Sequence, residues 1–384
     1  MLSDGVRRHN RGSGWRWYRD AVRVLMVTPW FPTSRSAEIG IFVLRDALAL
    51  SAEHAVSVLH LDSEANAQSR SGATDVRGVP TVRIPFNRWR LRDWFSALKA
   101  VRSAAADSDV VHTHALTGIL LFAFARPGKN KRWVHTEHWS GLTAPETLTP
   151  RGRIGRRAMM PILARPDAVI VACDRLARTI RTVRSKPILT IPCVVVPPVS
   201  VAPAASDSSV LKIVGIGGII ERKGAICALE TVAELERRGI TAHLTWVGNG
   251  PQRNELVARA HDLQLDDRLT LTGALSEAEV GEQLDASDLF LLPTLGDNFC
   301  IVVAEALSHG RPIVSGADTG AVDYSAAEVS RFVVDAKNPV AYADAIVDLR
   351  AATSDVSAEE IAATVSGRFT PERVSELLTA VYKS

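Results

Sequence analysis

The chain has 384 residues, 46% of them hydrophobic and 23% charged, a length that allows two domains of ordinary size, each with its own core. Its four cysteines are scattered without a closely spaced pair, which argues against a cysteine metal site and favours a reduced, cytoplasmic setting. No apolar run is long enough to span a membrane, and residues 1–20 lack the apolar core of a signal peptide.

Charge is distributed unevenly along the chain, although the net charge is only +3. Residues 1–200 carry 30 Lys and Arg against 15 Asp and Glu, a charge of +15, whereas the remainder carries 15 against 27, a charge of −12. We therefore expect a basic first half that faces an anionic membrane surface, a phosphorylated acceptor or nucleic acid. No recognition helix or stacking motif accompanies the basic residues, so we expect no nucleic-acid partner.

The first half alternates between strands and amphipathic helices and predicts one domain over 21–193, preceded by a basic, disordered tail at 1–20. A Pro-, Ala- and Ser-rich stretch at 194–209 predicts a linker. Predicted strands lie at 22–28, 55–61, 81–86, 109–114, 132–138, 168–172 and 188–192, and helices include 39–50 and 93–105.

The second half repeats the alternation and predicts a domain over 210–365, followed by a helix within 366–384 that crosses back to the first domain. Its strands are predicted at 211–216, 241–247, 268–272, 288–293 and 312–315, and its helices at 224–238, 251–264, 298–309 and after the capping box of Ser276 and Glu279. The fold class is therefore α/β, with two doubly wound, Rossmann-like domains and a ligand cleft between them.

The segment 297–314, DNFCIVVAEALSHGRPIV, carries two carboxylates eight residues apart. Asp297 or Asn298 is expected to cap a helix that ends at Gly310, so that unpaired backbone N–H groups form an anion site. Glu305 lies within this apolar helix and needs a partner or a polar cleft. The layout suits a ligand with a central phosphate and hydroxyls at both ends, which describes a nucleotide-sugar.

Four motifs in order give the chain a resemblance to family 4 of the retaining, nucleotide-sugar-dependent glycosyltransferases, which have the GT-B architecture. They are the element GGIIERKG at 217–224, the turn GNGP at 248–251, the acidic pair Asp297 and Glu305, and the sequence DNFC at 297–300, which resembles the family's E-x-F-G. The resemblance covers roughly 22–384. It implies transfer of a hexose or hexosamine from a nucleoside-diphosphate sugar to an acceptor hydroxyl with retention, in cell-envelope, glycolipid or glycoconjugate biosynthesis.

The resemblance also implies roles for residues of the second domain. Lys223 would contact the donor diphosphate, Glu305 the ribose hydroxyls, and Asp297 the transferred sugar and the distal phosphate. Helix N-terminal amides could stabilise the leaving diphosphate without a metal ion, so we expect no metal and no cofactor besides the donor co-substrate. The backbone contacts to the donor would come from Asn298, Phe299, Cys300 and Ile301.

Glycines and histidines complete the predicted site. Gly40, at the start of the first long helix, resembles the family's glycine-bearing loop near the donor phosphates, and Gly248 opens the GNGP turn. His138 matches the family's histidine that faces the donor sugar, where it would position the sugar rather than act as a nucleophile. His135 is expected to point to the other side or into the core, and His114 to line the cleft.

Three positions depart from the family pattern. Gly218 stands where an arginine usually accompanies Lys223, and Arg222, being next to the lysine, is expected to point elsewhere. Asp297 is one methylene shorter than the usual Glu, and Cys193 replaces an Asn. These changes leave the nucleotide, the sugar and the acceptor open.

Other activities remain as alternatives or are excluded. A nucleotide-sugar 2-epimerase shares the architecture and would need no acceptor, and a non-catalytic nucleotide-sugar-binding protein would show no turnover. Ile220 occupies the place of the third glycine of a dinucleotide-binding motif, and no P-loop motif occurs, so NAD binding and P-loop ATPase activity are not expected.

A basic and aromatic segment at 83–103 has the composition of an interfacial helix. We expect it to dock peripherally on an anionic membrane, where the acceptor would be lipid-linked; the alternative is an ordinary surface helix packed on the first sheet. Its cations are Arg88, Arg90, Arg92, Lys99 and Arg102, and its apolar residues are Trp89, Leu91, Trp94, Phe95 and Leu98.

Overall fold

The computed structural model describes residues 21–34, 39–63, 72–87, 89–123, 125–128, 130–203 and 209–384. The predicted tail at 1–20, part of the predicted linker and Arg88 lie outside the described residues.

The first domain is built on an eight-stranded sheet of order β3-β4-β2-β1-β5-β6-β7-β8, in which only the edge pair β3–β4 is antiparallel. Helices cover both faces, so its central strands are buried along almost their whole length, as is typical of a parallel sheet, although they carry several polar residues. The strands are β1 (Arg23–Thr28), β2 (Ala55–Asp62), β3 (Gly72–Val76), β4 (Val79–Pro85), β5 (Val110–His114), β6 (Arg132–Glu137), β7 (Ala168–Val171) and β8 (Ile188–Thr190). The helices are α1 (Ile41–Ser51), α2 (Leu91–Ala106), α3 (Ala115–Ile119), α4 (Pro150–Met159) and α5 (Asp174–Arg181).

The second domain contains a six-stranded, wholly parallel sheet of order β11-β10-β9-β12-β13-β14. The strands are β9 (Leu211–Ile216), β10 (Ala242–Val247), β11 (Leu269–Gly273), β12 (Leu289–Leu292), β13 (Ile313–Gly316) and β14 (Ser330–Val333). The helices are α6 (Ala225–Arg237), α7 (Arg253–Asp262), α8 (Glu277–Asp285), α9 (Ile301–Ser308), α10 (Pro339–Ala352) and α11 (Ala358–Ala363).

The last helix, α12 (Pro371–Lys383), packs on the first domain. Its buried residues Val374, Leu378 and Val381 belong to the same core as Val24 of β1. The Tyr382 hydroxyl lies 2.7 Å from Nδ1 of the buried His112 at the centre of the first sheet. The chain thus crosses between the domains twice, and both crossings restrict how the domains face each other.

Sequence periodicity predicted most of the strands, but it did not predict two short strands at the sheet edges. β3 and β14 were not predicted, because short edge strands with polar residues lack a clear apolar pattern. The prediction that Asp297 or Asn298 caps α9 is wrong, since the helix begins only at Ile301, after Cys300 in a left-handed conformation. The predicted end at Gly310 agrees with the structure, where Gly310 has a φ of +72°.

Candidate functional site

Asn298 joins the two domains where the carboxyl ends of their strands meet. Its side-chain oxygen accepts a hydrogen bond from the Thr143 hydroxyl at 2.9 Å, and its amide nitrogen donates to the carbonyl oxygen of His138 at 2.9 Å. Both partners belong to the first domain, and Asn298 is almost fully buried. The Asn298 side chain therefore links the two domains at the base of the cleft, whereas the sequence predicts only a backbone role for this residue.

Two cations of the second domain converge on Asp297. The Lys223 ammonium lies 2.5 Å from Oδ2 of Asp297, and the Arg222 guanidinium lies 3.5 Å from the same oxygen. Burial raises the pKa of Asp297, but Lys223 and Arg222 outweigh that effect and hold the pKa below its ordinary value. Asp297 is thus an ionised carboxylate at neutral pH.

The expectation that Arg222 points away from Lys223 is wrong. Both residues lie on a short 3-10 helix, Glu221–Lys223, in which the side chains do not alternate as they do in a strand. Arg222 also donates to the carbonyl oxygen of Gly296 at 2.6 Å, which fixes it beside Asp297. The site therefore contains two cations even though Gly218 has no side chain.

The residues just before α9 are anchored in the core of the second domain. The side chain of Phe299 packs against Tyr324 and Phe369 in the core, with ring centroids 5.0 and 5.3 Å away. The Tyr324 hydroxyl lies 3.0 and 2.9 Å from the carbonyl oxygens of Phe299 and Cys300. In the first turn, the Val303 N–H donates to the carbonyl oxygen of Cys300 at 2.9 Å, whereas the N–H groups of Ile301 and Val302 have no partners within the helix. This arrangement favours an anion at that point.

Glu305, one turn further along α9, pairs with Arg45 of the first domain. Oε1 of Glu305 lies 2.8 Å from Nη1 of Arg45, and both side chains are largely buried. Burial raises the pKa of Glu305, and the nearby Arg45 limits that rise. Sequence reasoning missed Arg45; its only signal was a charged residue in the otherwise apolar stretch 41–50, next to Asp46.

Two predicted glycines are required by close backbone contacts. A Cβ at Gly40 would lie 2.3 Å from the carbonyl group of Trp30, and one at Gly248 would lie 2.2 Å from the carbonyl oxygen of Gly217. Gly40 immediately precedes α1, with a φ of +74°. Gly248 presses the GNGP turn against the GGIIERKG element, so both motifs reach the same edge of the second sheet.

His138 directly follows β6, and its position is fixed by hydrogen bonds to the backbone. Its N–H and that of Trp139 each donate to Oε1 of the fully buried Glu137 at 2.8 Å. The His138 ring lies 4.3 Å from that of Phe42, and its Nε2 lies 3.3 Å from Nδ1 of His114. Burial lowers the pKa of His138 to about 3, so the ring is neutral at physiological pH.

Two other histidines lie behind His138. The prediction that His114 lines the cleft is wrong, because the residue is completely buried and its Nε2 has no hydrogen-bond partner among the described residues. His135 is also fully buried and contacts the hydroxyl of Thr113 at 3.0 Å. Only His138 of this group remains partly accessible at the cleft.

Across the described ranges, no group of three or more His, Cys, Asp or Glu side chains is placed to hold a metal ion. Within the same ranges, no helix has the length and hydropathy needed to cross a membrane. The polar groups that the described residues bring to the cleft include the cations Lys223 and Arg222, the carboxylates of Asp297 and Glu305, a helix N-terminus and one neutral histidine. Together they can hold a phosphorylated group with hydroxyls on either side.

Two family profiles match the chain, one on each domain. The profile described as Glycosyltransferase Family 4 matches residues 37–197. The profile described as Glycosyl transferases group 1 matches residues 211–351 and includes the segments that carry Lys223, Asp297 and Glu305.

Curated relatives and a solved structure agree with these matches. The chain is 30% identical over 169 residues to a putative colanic acid biosynthesis glycosyltransferase, WcaL, of Escherichia coli, covering 42% of this chain and 41% of the relative. It is 29% identical over 144 residues to a GDP-mannose-dependent α-(1-6)-phosphatidylinositol monomannoside mannosyltransferase of Mycobacterium tuberculosis, covering 36% and 37%. Each match thus spans less than half of the relative. A sucrose-phosphate synthase structure from Thermosynechococcus elongatus superposes with a TM-score of 0.77 at 19% identity, covering 94% of this chain and 98% of that one, which shows a shared GT-B fold.

Proposed function

The chain combines a glycosyltransferase family 4 domain with a glycosyl transferases group 1 domain on a GT-B fold, and from that premise we propose that it transfers a hexose or hexosamine from a nucleoside-diphosphate sugar to an acceptor hydroxyl. The observation that carries the proposal is the convergence of Lys223 and Arg222 on Asp297 beside the start of α9. Two cations and a helix N-terminus next to a carboxylate match a diphosphate joined to a sugar.

In the proposed reaction, the bond between the anomeric carbon and the phosphate oxygen breaks while the acceptor oxygen attacks the same face. The proton of the acceptor hydroxyl passes to the departing phosphate oxygen, and the configuration is retained. Lys223, Arg222 and the N–H groups at Ile301 neutralise the charge that develops on the leaving diphosphate. His138, being neutral, hydrogen-bonds to the sugar and positions it.

A thermal-shift panel of UDP-, GDP- and ADP-sugars tests the donor assignment. A donor at 100 times its Kd is expected to stabilise the folded protein by about 2.7 kcal/mol. The donor that stabilises most is then incubated with candidate acceptors, and the anomeric configuration of the product is determined by NMR. Inversion would contradict the proposed stereochemistry. Consumption of the donor without an acceptor would identify an epimerase, and binding without turnover a non-catalytic protein.

We further propose that the acceptor is lipid-linked and that the first domain docks on an anionic membrane to reach it. The helix α2 does pack Ala97 and Val101 into the core. Around its N-terminal end, however, Trp89, Leu91 and Phe95 are 81%, 77% and 73% exposed. Exposed aromatic and aliphatic side chains beside arginines are typical of a surface that inserts into lipid headgroups.

A further inference from the structure

Arg45 forms a fork between two carboxylates of the opposite domain. Its Nη1 donates to Oε1 of Glu305 at 2.8 Å, and its Nη2 donates to Oε1 of Glu277 at 2.8 Å. Arg45 lies on α1 of the first domain, whereas Glu305 and Glu277 lie on α9 and α8 of the second. A further contact of Nη1 with the carbonyl oxygen of Val194, at 3.3 Å, fixes the guanidinium at the start of the interdomain connection.

The fork uses only one oxygen of Glu305. Among the described residues, Oε2 of Glu305 has no hydrogen-bond partner, and the Glu305 side chain is 16% exposed to solvent. A carboxylate held at one oxygen and open at the other is oriented to accept from a hydroxyl that enters the cleft. Arg45 itself is only 11% exposed, so the geometry is held by packing as well as by charge.

The ion pair of Arg45 and Glu305 also offsets the unfavourable burial of a carboxylate in α9. Glu305 lies among the apolar residues of that helix, and the carboxylate of Glu277 is a second negative charge near it. A buried carboxylate beside a like charge favours the protonated form unless a cation compensates. Arg45 provides that cation and bridges both carboxylates, and His309 and Tyr324 are further titratable groups close to Glu305.

We propose that Arg45 is a positioning residue for donor binding, which orients and keeps ionised the Glu305 carboxylate that holds the two ribose hydroxyls. The inference rests on the proposed function. Because Arg45 comes from the opposite domain, the nucleoside half of the donor site is complete only when the two domains are in contact. Recognition of the ribose therefore depends on contact between the two domains. The first domain contributes through Arg45 without touching the nucleoside.

The test compares nucleoside diphosphates with and without the ribose hydroxyls. Affinities of UDP, GDP and ADP and of their 2′,3′-dideoxy counterparts are measured by calorimetry, and the base that binds most tightly is used. Wild-type protein is expected to bind the ribose form at least tenfold more tightly than the dideoxy form. Arg45→Met and Glu305→Gln are both expected to remove most of that preference while changing the affinity for the dideoxy form little.

A pH series separates positioning from a merely structural role. The wild-type preference for the ribose form over the dideoxy form is expected to be nearly flat between pH 6 and 8, because the terminal phosphate titrates alike in both ligands. In Arg45→Met the loss of the cation raises the pKa of Glu305 further, so that preference is expected to increase with pH as the carboxylate ionises. The matched control is Arg23→Met, which breaks the exposed pair of Arg23 and Asp109 at 2.7 Å and is expected to leave the ribose preference unchanged.

The outcomes distinguish this inference from the function on which it rests. Absence of nucleoside-diphosphate binding by wild-type protein would overturn both. A ribose preference that Glu305→Gln abolishes and Arg45→Met retains would overturn the role of Arg45 alone. If Arg45→Met does not fold, Arg45→Lys decides, because a lysine keeps the charge but lacks the planar group with two separate nitrogens that contacts Glu305 and Glu277. It is expected to lower the preference partially, and an unchanged preference would contradict the proposal.

Discussion

The ammonium group of Lys223 lies 2.5 Å from Oδ2 of Asp297, so the cation proposed for the diphosphate and the carboxylate proposed for the sugar hold each other. Both side chains are mostly buried, at 14% and 22% exposure. The pair keeps Lys223 pointed at the cleft and Asp297 ionised, with Arg222 as a second cation. An entering diphosphate therefore meets a positive charge already directed at it.

Replacing Lys223 is expected to weaken binding of the bare nucleoside diphosphate, because this contact does not require the sugar. Lys223→Ala removes a charge-assisted contact worth about 1.5–3 kcal/mol, so Kd should increase tenfold to more than a hundredfold. Calorimetric titration measures it. The control is Lys337→Ala, which removes an exposed lysine paired with Glu221 at 2.8 Å and should leave Kd unchanged. An unchanged Kd in Lys223→Ala would mean that the diphosphate lies elsewhere.

His138→Ala is expected to lower turnover while nucleoside-diphosphate binding stays close to wild type. The loss of one hydrogen bond to the sugar should cost about 1–2 kcal/mol, or roughly tenfold in kcat. Because the pKa of His138 is lowered to about 3, His138 should contribute no limb to the wild-type kcat profile between pH 5 and 8. Steady-state kinetics across that range test both statements. His261→Ala, at a histidine 82% exposed, is the control. A normal kcat in His138→Ala would remove the residue from the sugar site.

Asp46 is expected to make the protein less stable as the pH rises. Burial raises the pKa of this carboxyl group to about 8, and its Oδ1 has no partner among the described residues. The folded state therefore binds a proton that the unfolded state has released above about pH 4, so the contribution of Asp46 to the free energy of unfolding decreases as the pH rises towards 8. Asp46→Asn cannot ionise and should avoid this loss.

Urea unfolding of wild-type protein and Asp46→Asn at pH 5, 6, 7, 8 and 9 measures the effect. The stability of the variant relative to wild type should increase steadily to about pH 8 and then level off. A difference that stays constant with pH would show that the Asp46 carboxyl is already ionised in the folded protein.

Gly40→Ala is expected to destabilise the protein more than Gly239→Ala. Both glycines have similar left-handed backbones, with φ of +74° and +78°. Alanine in that conformation costs about 1–2 kcal/mol at either position. At Gly40 its Cβ would also lie 2.3 Å from the Trp30 carbonyl group, whereas nothing lies within 4 Å at Gly239. Chemical denaturation should show a clearly larger loss for Gly40→Ala. Equal losses would mean that the loop before α1 adjusts without cost.

Membrane docking is expected to depend on both charge and exposed apolar side chains. Wild-type protein should float with anionic vesicles and not with zwitterionic ones, and binding should fall as salt increases, because the attraction of about 1 kcal/mol per basic residue is screened. The double variants Leu91→Ser with Phe95→Ser, and Arg90→Gln with Arg92→Gln, should each weaken flotation. Val334→Ser, at a 91% exposed valine of the second domain, is the control. Wild-type protein that ignores anionic vesicles at low salt would favour a soluble acceptor.

Local patterns in the chain were enough to predict the architecture. Apolar runs such as 211–216 and 288–293 are buried in the centre of the second sheet, where both faces are covered, and their order along the chain specifies a doubly wound fold. The capping box of Ser276 and Glu279 is present at the start of α8, because its two hydrogen bonds depend only on residues three apart.

The sequence by itself was enough to predict which segments carry the candidate site, since Lys223, Asp297 and Glu305 each stand in a local motif at the end of a strand or in the following helix. Tertiary structure alone decided what these residues face. The left-handed Cys300 delays the start of α9, and a 3-10 turn brings Arg222 to Asp297. Arg45 reaches Glu305 across 260 residues of chain. The contact of Arg45 with Glu305 results from the packing of one domain against the other. A contact between residues so far apart in the chain leaves no periodicity or spacing in the sequence that could predict it.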